Sequence, residues 1–212
     1  MESVQRRRVY NSRGRQEQAR RTRDAILDLA RERFLADGYA ATTMPSIAEA
    51  AGVSVDTVHK AFGGKAGLVR AIYRRSLEGA GPVAAPDRSD QMQHGETDPR
   101  LIVYQWGTLT TEVAPLVAPI YLLIRDAAAT DPEMAALLRD SDDQRRERMR
   151  HNARTLIEGG HLAPGLTWQD ATDVMWTYSS PELYDLLVLR SGWDLSRYGQ
   201  FIGRSIAAAL LP

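Results

Sequence analysis

The chain has 212 residues, of which 43% are hydrophobic and 25% charged, and its 27 basic and 27 acidic residues cancel to a net charge of zero. This is enough apolar chain to bury a substantial core, as one elongated helical body or two subdomains. It contains no cysteine, which excludes a disulfide framework and thiolate metal sites. It also lacks a run of eighteen apolar residues and a hydrophobic signal core after the arginine-rich start, so a cytoplasmic protein without membrane insertion is expected.

The charge is unevenly distributed. Residues 1–78 hold fifteen Lys or Arg against nine Asp or Glu, a balance of +6, and residues 79–212 hold twelve against eighteen, a balance of −6. Arg6, Arg7, Arg8, Arg13 and Arg15 fall in a basic arm, residues 1–19, expected to be flexible. It suits neutralising phosphates or entering a minor groove, or stays a solvated tail. Arg20 and Arg23 stand at the start of the first helix and are candidate DNA contacts. That helix repeats apolar residues at Ile26, Leu29, Ala30 and Phe34 and should stop at Asp37-Gly38, where glycine suits a left-handed cap.

Residues 38–68 read as helix, turn and helix. Thr43 is a cap for a short helix, Pro45 sits in its first turn, and Ile47, Ala48 and Ala51 share one apolar face. Gly52 supplies a tight turn, with Val53 filling the angle, and Ser54 caps the next helix. In that helix Val58 and Phe62 point inward, leaving Val55, Asp56, Thr57, His59 and Lys60 outward, the face a major groove would meet, with Thr43 and Ser54 as further candidate DNA contacts. Gly63-Gly64 then leads into a fourth helix with Lys65 at its N-terminus, a cation suited to a phosphate, and Leu68 to Leu77 as a lever.

The residues Gly38-Tyr39, Thr42-Thr43, Ile47-Ala48, Ala51-Gly52-Val53-Ser54, Thr57-Val58, Phe62, Lys65 and Leu68 lie in one unbroken register. They resemble the DNA-binding region of the TetR family of tetracycline-repressor-like transcriptional regulators. The family usually has tyrosine where His59 stands and histidine where Ala61 stands; His59 can itself donate to a phosphate. The resemblance implies an all-α protein with a helix-turn-helix DNA-binding domain at residues 20–78 and a C-terminal helical effector-binding and dimerisation domain.

Residues 79–97, with three glycines and two prolines and no helical period, are expected to be a linker or mobile loop. Residues 98–212 should form helices at about 98–113, 116–129, 131–158, 168–179, 181–191 and 195–210, with caps at Asp131, Thr167, Ser180 and Asp194. The segment from Leu162 to Trp193 and the final helix resemble a TetR-type ligand-binding and dimerisation domain. The resemblance implies a homodimer built on the 168–179 and 195–210 helices, with Tyr198, Phe201, Ile202, Ser205 and Ala209 as candidate interface residues. It also implies a pocket for a small-molecule effector of unknown identity. Tyr104, Trp106, Tyr121, Met175, Trp176 and Tyr178 are the candidate lining residues, within a wider aromatic and methionine set that includes Met134 and Met149. Arg125, inside the apolar run YLLIRDAAA, needs a partner, which Asp126, another acid or an effector carboxylate could supply.

A helical enzyme is the competing class, but the chain has no G-x-S-x-G, no H-E-x-x-H, no glycine-rich phosphate loop and no histidine pair at metal-ligand spacing. The resemblance implies a DNA-binding transcriptional regulator, a repressor by family expectation, that holds a palindromic operator on double-stranded DNA and is released by its effector, with no cofactor and no metal. An architectural DNA binder without an effector is the alternative.

Overall fold

The structure is a computed structural model that describes residues 2–212, with side-chain surroundings from residue 14 onward. Its elements are α1 (Glu2–Ala41), α2 (Met44–Ala50), α3 (Val55–Phe62), α4 (Lys65–Glu78), α5 (Ala85–Gly95), α6 (Pro99–Ala127), α7 (Pro132–Glu158), α8 (Trp168–Tyr178), α9 (Pro181–Tyr184, continued by a wider π-helical segment, Asp185–Arg190) and α10 (Leu195–Leu210). No strand occurs among the described residues. The chain divides into two units, residues 1–72 and 73–212, so the boundary falls within α4 and not after it.

In the first unit, Ile26, Leu27, Ala30 and Phe34 of α1, Ile47 and Ala48 of α2, Val58 and Phe62 of α3, and Leu68, Val69 and Ile72 of α4 are buried. The helical run of α1 is interrupted at Gly38, where φ is 81° and ψ 167°, so glycine does end the regular helix there. Upstream, residues 14–19 of the expected arm continue as helix into Arg20. The arginines at 6, 7, 8 and 13 lie outside the described side chains.

The second unit is built on α6, which packs most extensively against α10 and also against α7, α9 and α5. Its core holds Ile102, Val103 and Trp106 of α6, Leu156 of α7, Met175 of α8, Tyr184 of α9, and Tyr198, Ile202 and Ile206 of α10. α6 and α10 meet backbone to backbone. A Cβ added at Gly107 would stand 3.1 Å from Gly203 Cα and collide with the Gly199 carbonyl, and one added at Gly199 would stand 2.6 Å from the Gly107 carbonyl.

Three expectations need correction. The segment 79–97 is not simply a linker, because Ala85–Gly95 forms α5 with Pro86 in its first turn. What holds it is tertiary: Arg88 makes a two-pronged pair with Glu112 of α6, and Gln93 donates to Asn152 of α7 at 3.2 Å. The helices expected at 98–113 and 116–129 are one helix, α6, with Pro115 and Pro119 inside it. Each proline removes one backbone donor, but apolar residues on both sides are buried, among them Trp106, Val117, Ala118, Ile120 and Ile124, and their packing outweighs the local loss. α6 has the length and apolarity of a membrane span by composition alone, and it is the helix around which this unit is packed. Finally, Tyr198 and Ile202 are 1% and 2% exposed inside this unit, so they belong to its core and not to a dimer seam.

The glycine crossing gives a stability test. Gly107→Ala should lower Tm by several degrees, because forcing two helices apart costs about 1–3 kcal/mol and about 2–4 °C accompanies each kcal/mol in a chain of this size. Gly95→Ala, where an added Cβ meets nothing within 4 Å, is the control expected to leave Tm almost unchanged. Equal melting curves for the two variants would show that the crossing tolerates separation.

Candidate functional site

Capping builds the reading pair. Thr43 accepts from the Ser46 amide at 3.2 Å while the Ser46 hydroxyl accepts from the Thr43 amide at 3.3 Å, a reciprocal box that starts α2. The chain turns at Gly52, φ 64°. Ser54 then accepts from the Thr57 amide at 3.1 Å and starts α3. With Val58 fully buried and Phe62 nearly so, α3 exposes Val55, Asp56, Thr57, His59 and Lys60 together. Lys60 reaches back to Asp56 at 2.7 Å. His59 Nδ1 lies 3.4 Å from the Gly63 carbonyl, which accepts from it in the tautomer that carries hydrogen on Nδ1.

Two basic candidates do structural work. Arg23 donates to the Ala61 carbonyl at 2.6 Å, and its guanidinium lies 4.3 Å from the centre of the Phe62 ring, so it clamps the C-terminal end of α3 onto α1. Lys65 donates to the Ala40 carbonyl at 3.4 Å with its ammonium 4.1 Å from the Tyr39 ring, which fixes the cation at the start of α4. Arg20 is exposed and pairs with Glu17 at 2.8 Å and Asp24 at 3.8 Å. Gly67, which sequence reasoning passed over, sits where a Cβ would overlap the Phe62 carbonyl, so α3 and α4 depend on its missing side chain.

The second unit holds a cleft of about 350 Å³, lined mainly by apolar groups from α4 to α10. Of the expected lining residues, the structure brings Trp106, Met175 and Tyr178 to its wall, with Met149 from the wider set. Tyr104, Tyr121, Arg125 and Trp176 are not in the wall. Tyr104 is 41% exposed on the outer face of α6. Tyr121 is buried, and its hydroxyl donates to Asp142 at 2.7 Å, which together with burial raises its pKa. Arg125 is satisfied by Asp126 at 3.1 Å and Glu182 at 3.6 Å, so an effector carboxylate is not needed there. The Trp176 ring is flanked by the guanidiniums of Arg145 and Arg146, at 4.5 and 5.3 Å.

Sequence reasoning missed Ala85, Pro86 and Ser89 of α5, Arg145 and Arg148 of α7, and Tyr198 and Ile202 of α10. The family resemblance assigns the last two to a dimer seam, and a buried helical face does not by itself say what it faces. Arg145 donates to the Trp176 carbonyl at 2.7 Å and to Ser179 at 3.2 Å, and pairs with Asp142 at 3.4 Å. Arg148 donates to the Pro86 carbonyl at 3.1 Å and to Asp90 at 2.6 Å, holding α5 over the cleft. His151 also lies 3.1 Å from Asp90. Burial pushes the Tyr198 phenol up, so it stays protonated.

Comparison with known proteins bears on both parts. Residues 26–72 match the family model of bacterial regulatory proteins of the tetR family. No curated protein matches the chain in sequence. Among solved structures the chain is similar to SmeT in its triclosan complex, at 21% identity and a TM-score of 0.70, over 90% of this chain and 92% of that one. A TetR-family regulator structure from Syntrophomonas wolfei aligns at 16% identity and a TM-score of 0.72, over 90% and 95%. A transcriptional regulator structure from Saccharomonospora viridis in complex with choline aligns at 18% identity and 0.67, over 90% and 97%. At these identities the likeness establishes the fold.

The α5 tether has a pH signature. Asp90 has its pKa lowered, first by the hydrogen bond from Arg148 and then by its charge and that of His151. A depressed carboxylate contributes stability that is present above the unfolded carboxylate pKa and lost as pH falls through the folded value. Asp90→Asn should therefore lower Tm at pH 7, and the gap to the parent should close as pH falls below about 4. Melting curves across pH 3–8 would check it, and a gap that stayed constant with pH would assign the effect to packing.

Proposed function

Because residues 26–72 belong to the tetR family of bacterial regulatory proteins and the chain has the fold of TetR-type transcriptional regulators, we propose that it represses transcription as a cytoplasmic homodimer on a palindromic operator and is released by a small molecule. The observation that carries the reading is the outward row Val55, Asp56, Thr57, His59 and Lys60, raised on the buried Val58 and Phe62. Two independent caps, at Thr43 and Ser54, fix the helices that present it. An exposed row of short polar, cationic and branched side chains on a rigid helix is what base-edge readout requires.

Release by an effector is supported by the cleft, whose volume is at the low end for ligand pockets and whose wall is mainly apolar. An architectural DNA binder has no use for it. One helix joins the two activities: α4 begins with Lys65 and carries Tyr73 and Leu77, both in the cleft wall. An effector pressing on Tyr73 and Leu77 acts on the helix that begins with Lys65. Release then follows if the effector binds the altered helix position better than the DNA-bound one.

For the dimer seam we propose the outward faces of α8 and α10, which leave Trp168, Leu195 and Ala209 exposed in one chain. Ser205 and Phe201 are half-buried, and Phe201 already packs edge-on against Tyr178 and Trp193 within its own chain. Ala209→Glu should leave the fold intact, since the residue is exposed, and should convert a micromolar dimer to monomer in sedimentation velocity. Retention of the dimer would place the seam elsewhere.

Selection of binding sites from random duplex DNA tests the central reading. An inverted repeat should emerge, and no enrichment of any sequence would remove the reading. On the selected site, Lys65→Ala should weaken specific and non-specific DNA alike and reduce the slope of log K against log salt by about one per half-site. Lys60→Ala should change base preference at one position per half-site. A uniform loss across site variants would assign Lys60 to the backbone.

A further inference from the structure

The cleft of the second unit has an unusual polar balance. Its lining includes two guanidiniums, Arg145 and Arg148, and no Asp, Glu, Lys or His. Both guanidiniums are already charge-compensated, Arg148 by Asp90 at 2.6 Å and Arg145 by Asp142 at 3.4 Å. A cation would meet no carboxylate in the wall, and an anion would be taken from water into surroundings whose positive charges are already matched.

Hydrogen-bonding capacity is unspent in the same wall. Trp106, 6% exposed, has its indole Nε1 buried without a partner, and Arg145 has its Nε likewise unpartnered. Tyr198, 1% exposed, makes ring contact with Tyr184 and lines the same cleft. Indole and guanidinium N–H groups only donate, and a protonated phenol donates too. Buried polar groups are normally satisfied, so two buried unsatisfied donors on residues of one cleft wall, beside the Tyr198 phenol, mark a place where something else supplies the acceptor. The remaining wall is mainly apolar or aromatic, including Met149, Met175, Tyr178 and Ile202, with uncharged polar side chains such as Gln144 and Asn152 among them.

We propose that the cleft takes a compact, uncharged ring compound bearing a carbonyl or equivalent neutral acceptor oxygen, received by Trp106, Tyr198 and Arg145. The proposal rests on the reading of this cleft as the effector site and names the ligand class. The volume of about 350 Å³ limits the body to one or two rings. Aromatic faces from Trp106, Tyr178 and Tyr198 cover that body, and the donors orient the oxygen.

Four probes with one skeleton separate the alternatives on the full-length chain: 2-acetylnaphthalene, 2-ethylnaphthalene, 2-naphthoate and 2-naphthyltrimethylammonium. Binding is read by calorimetry without DNA, so the outcome is independent of whether the chain regulates transcription. The ketone should bind roughly tenfold more tightly than the ethyl compound, the size of one net buried hydrogen bond, and more tightly than either ion. Trp106→Phe and Tyr198→Phe, which preserve ring packing, should each shrink the preference for the ketone while leaving 2-ethylnaphthalene affinity nearly unchanged. Equal affinity for ketone and ethyl compound overturns the proposal, as does tighter binding of the naphthoate or the ammonium, or no binding of any probe at millimolar concentration. A ketone preference that survives both substitutions overturns the assignment of the donors. If the ketone binds but leaves operator affinity unchanged, the ligand class stands and the regulatory reading of the cleft fails.

Discussion

The second unit depends on the closeness of α6 and α10. Gly107 on one helix and Gly199 and Gly203 on the other leave no room for a side chain between the backbones. Large residues must then leave the contact sideways. On the cleft side these are Trp106, Leu109 and Thr110 from α6 and Tyr198, Ile202 and Ile206 from α10. A tight seam beside bulky walls is how a helical unit keeps a cavity open, because the helices cannot slide inward to fill it once their backbones are in contact.

The same unit keeps its charges at the edges of the cleft. Arg145 and Arg148 come from an α7 stretch that reads as a solvated charged face, RRERMR, yet their side chains are only 12% and 25% exposed. Both line the cleft, and their guanidiniums are bonded to carbonyls and carboxylates of neighbouring helices. Arg148 holds α5 through Pro86 and Asp90, and Gln93 and Asn152 add a second tie from the same two helices. Because α5 is short and contributes few buried apolar residues, these polar ties hold much of it in place.

Local chemistry was legible in the sequence wherever a residue acts within a few positions of itself. Thr43, Ser54, Asp131, Thr167, Ser180 and Asp194 cap the helices they precede, and Gly52, Gly63 and Gly192 turn the chain with positive φ. The outward row of α3 was legible for the same reason, since one apolar pair, Val58 and Phe62, fixes the phase of a two-turn helix. Prolines misled. Pro115 reads as a helix boundary and lies inside one, because long-range packing decides that region. The segment 79–97 reads as a loop because its helix is held by partners 24 and 59 residues away, Glu112 and Asn152. The resemblance puts Tyr198 and Ile202 at a dimer seam, and the structure buries both within one chain. A helical period says that a face is buried and cannot distinguish a core, a ligand and a second chain as what buries it.

A ligand in the cleft affects DNA only through a difference in affinity between two states of the protein, and the coupling is reciprocal. If effector binding weakens operator binding, operator binding must weaken effector binding by the same factor. About 1–3 kcal/mol of coupling corresponds to 5- to 150-fold release, comparable to one or two net hydrogen bonds. The cleft wall holds unsatisfied donors of that order at Trp106 and Arg145. A ligand oxygen that satisfies them in one position of α4 and not in the other would supply the coupling without rearranging the core. The selectivity of the cleft and the strength of the switch would then have one source, the indole and guanidinium donors of Trp106 and Arg145.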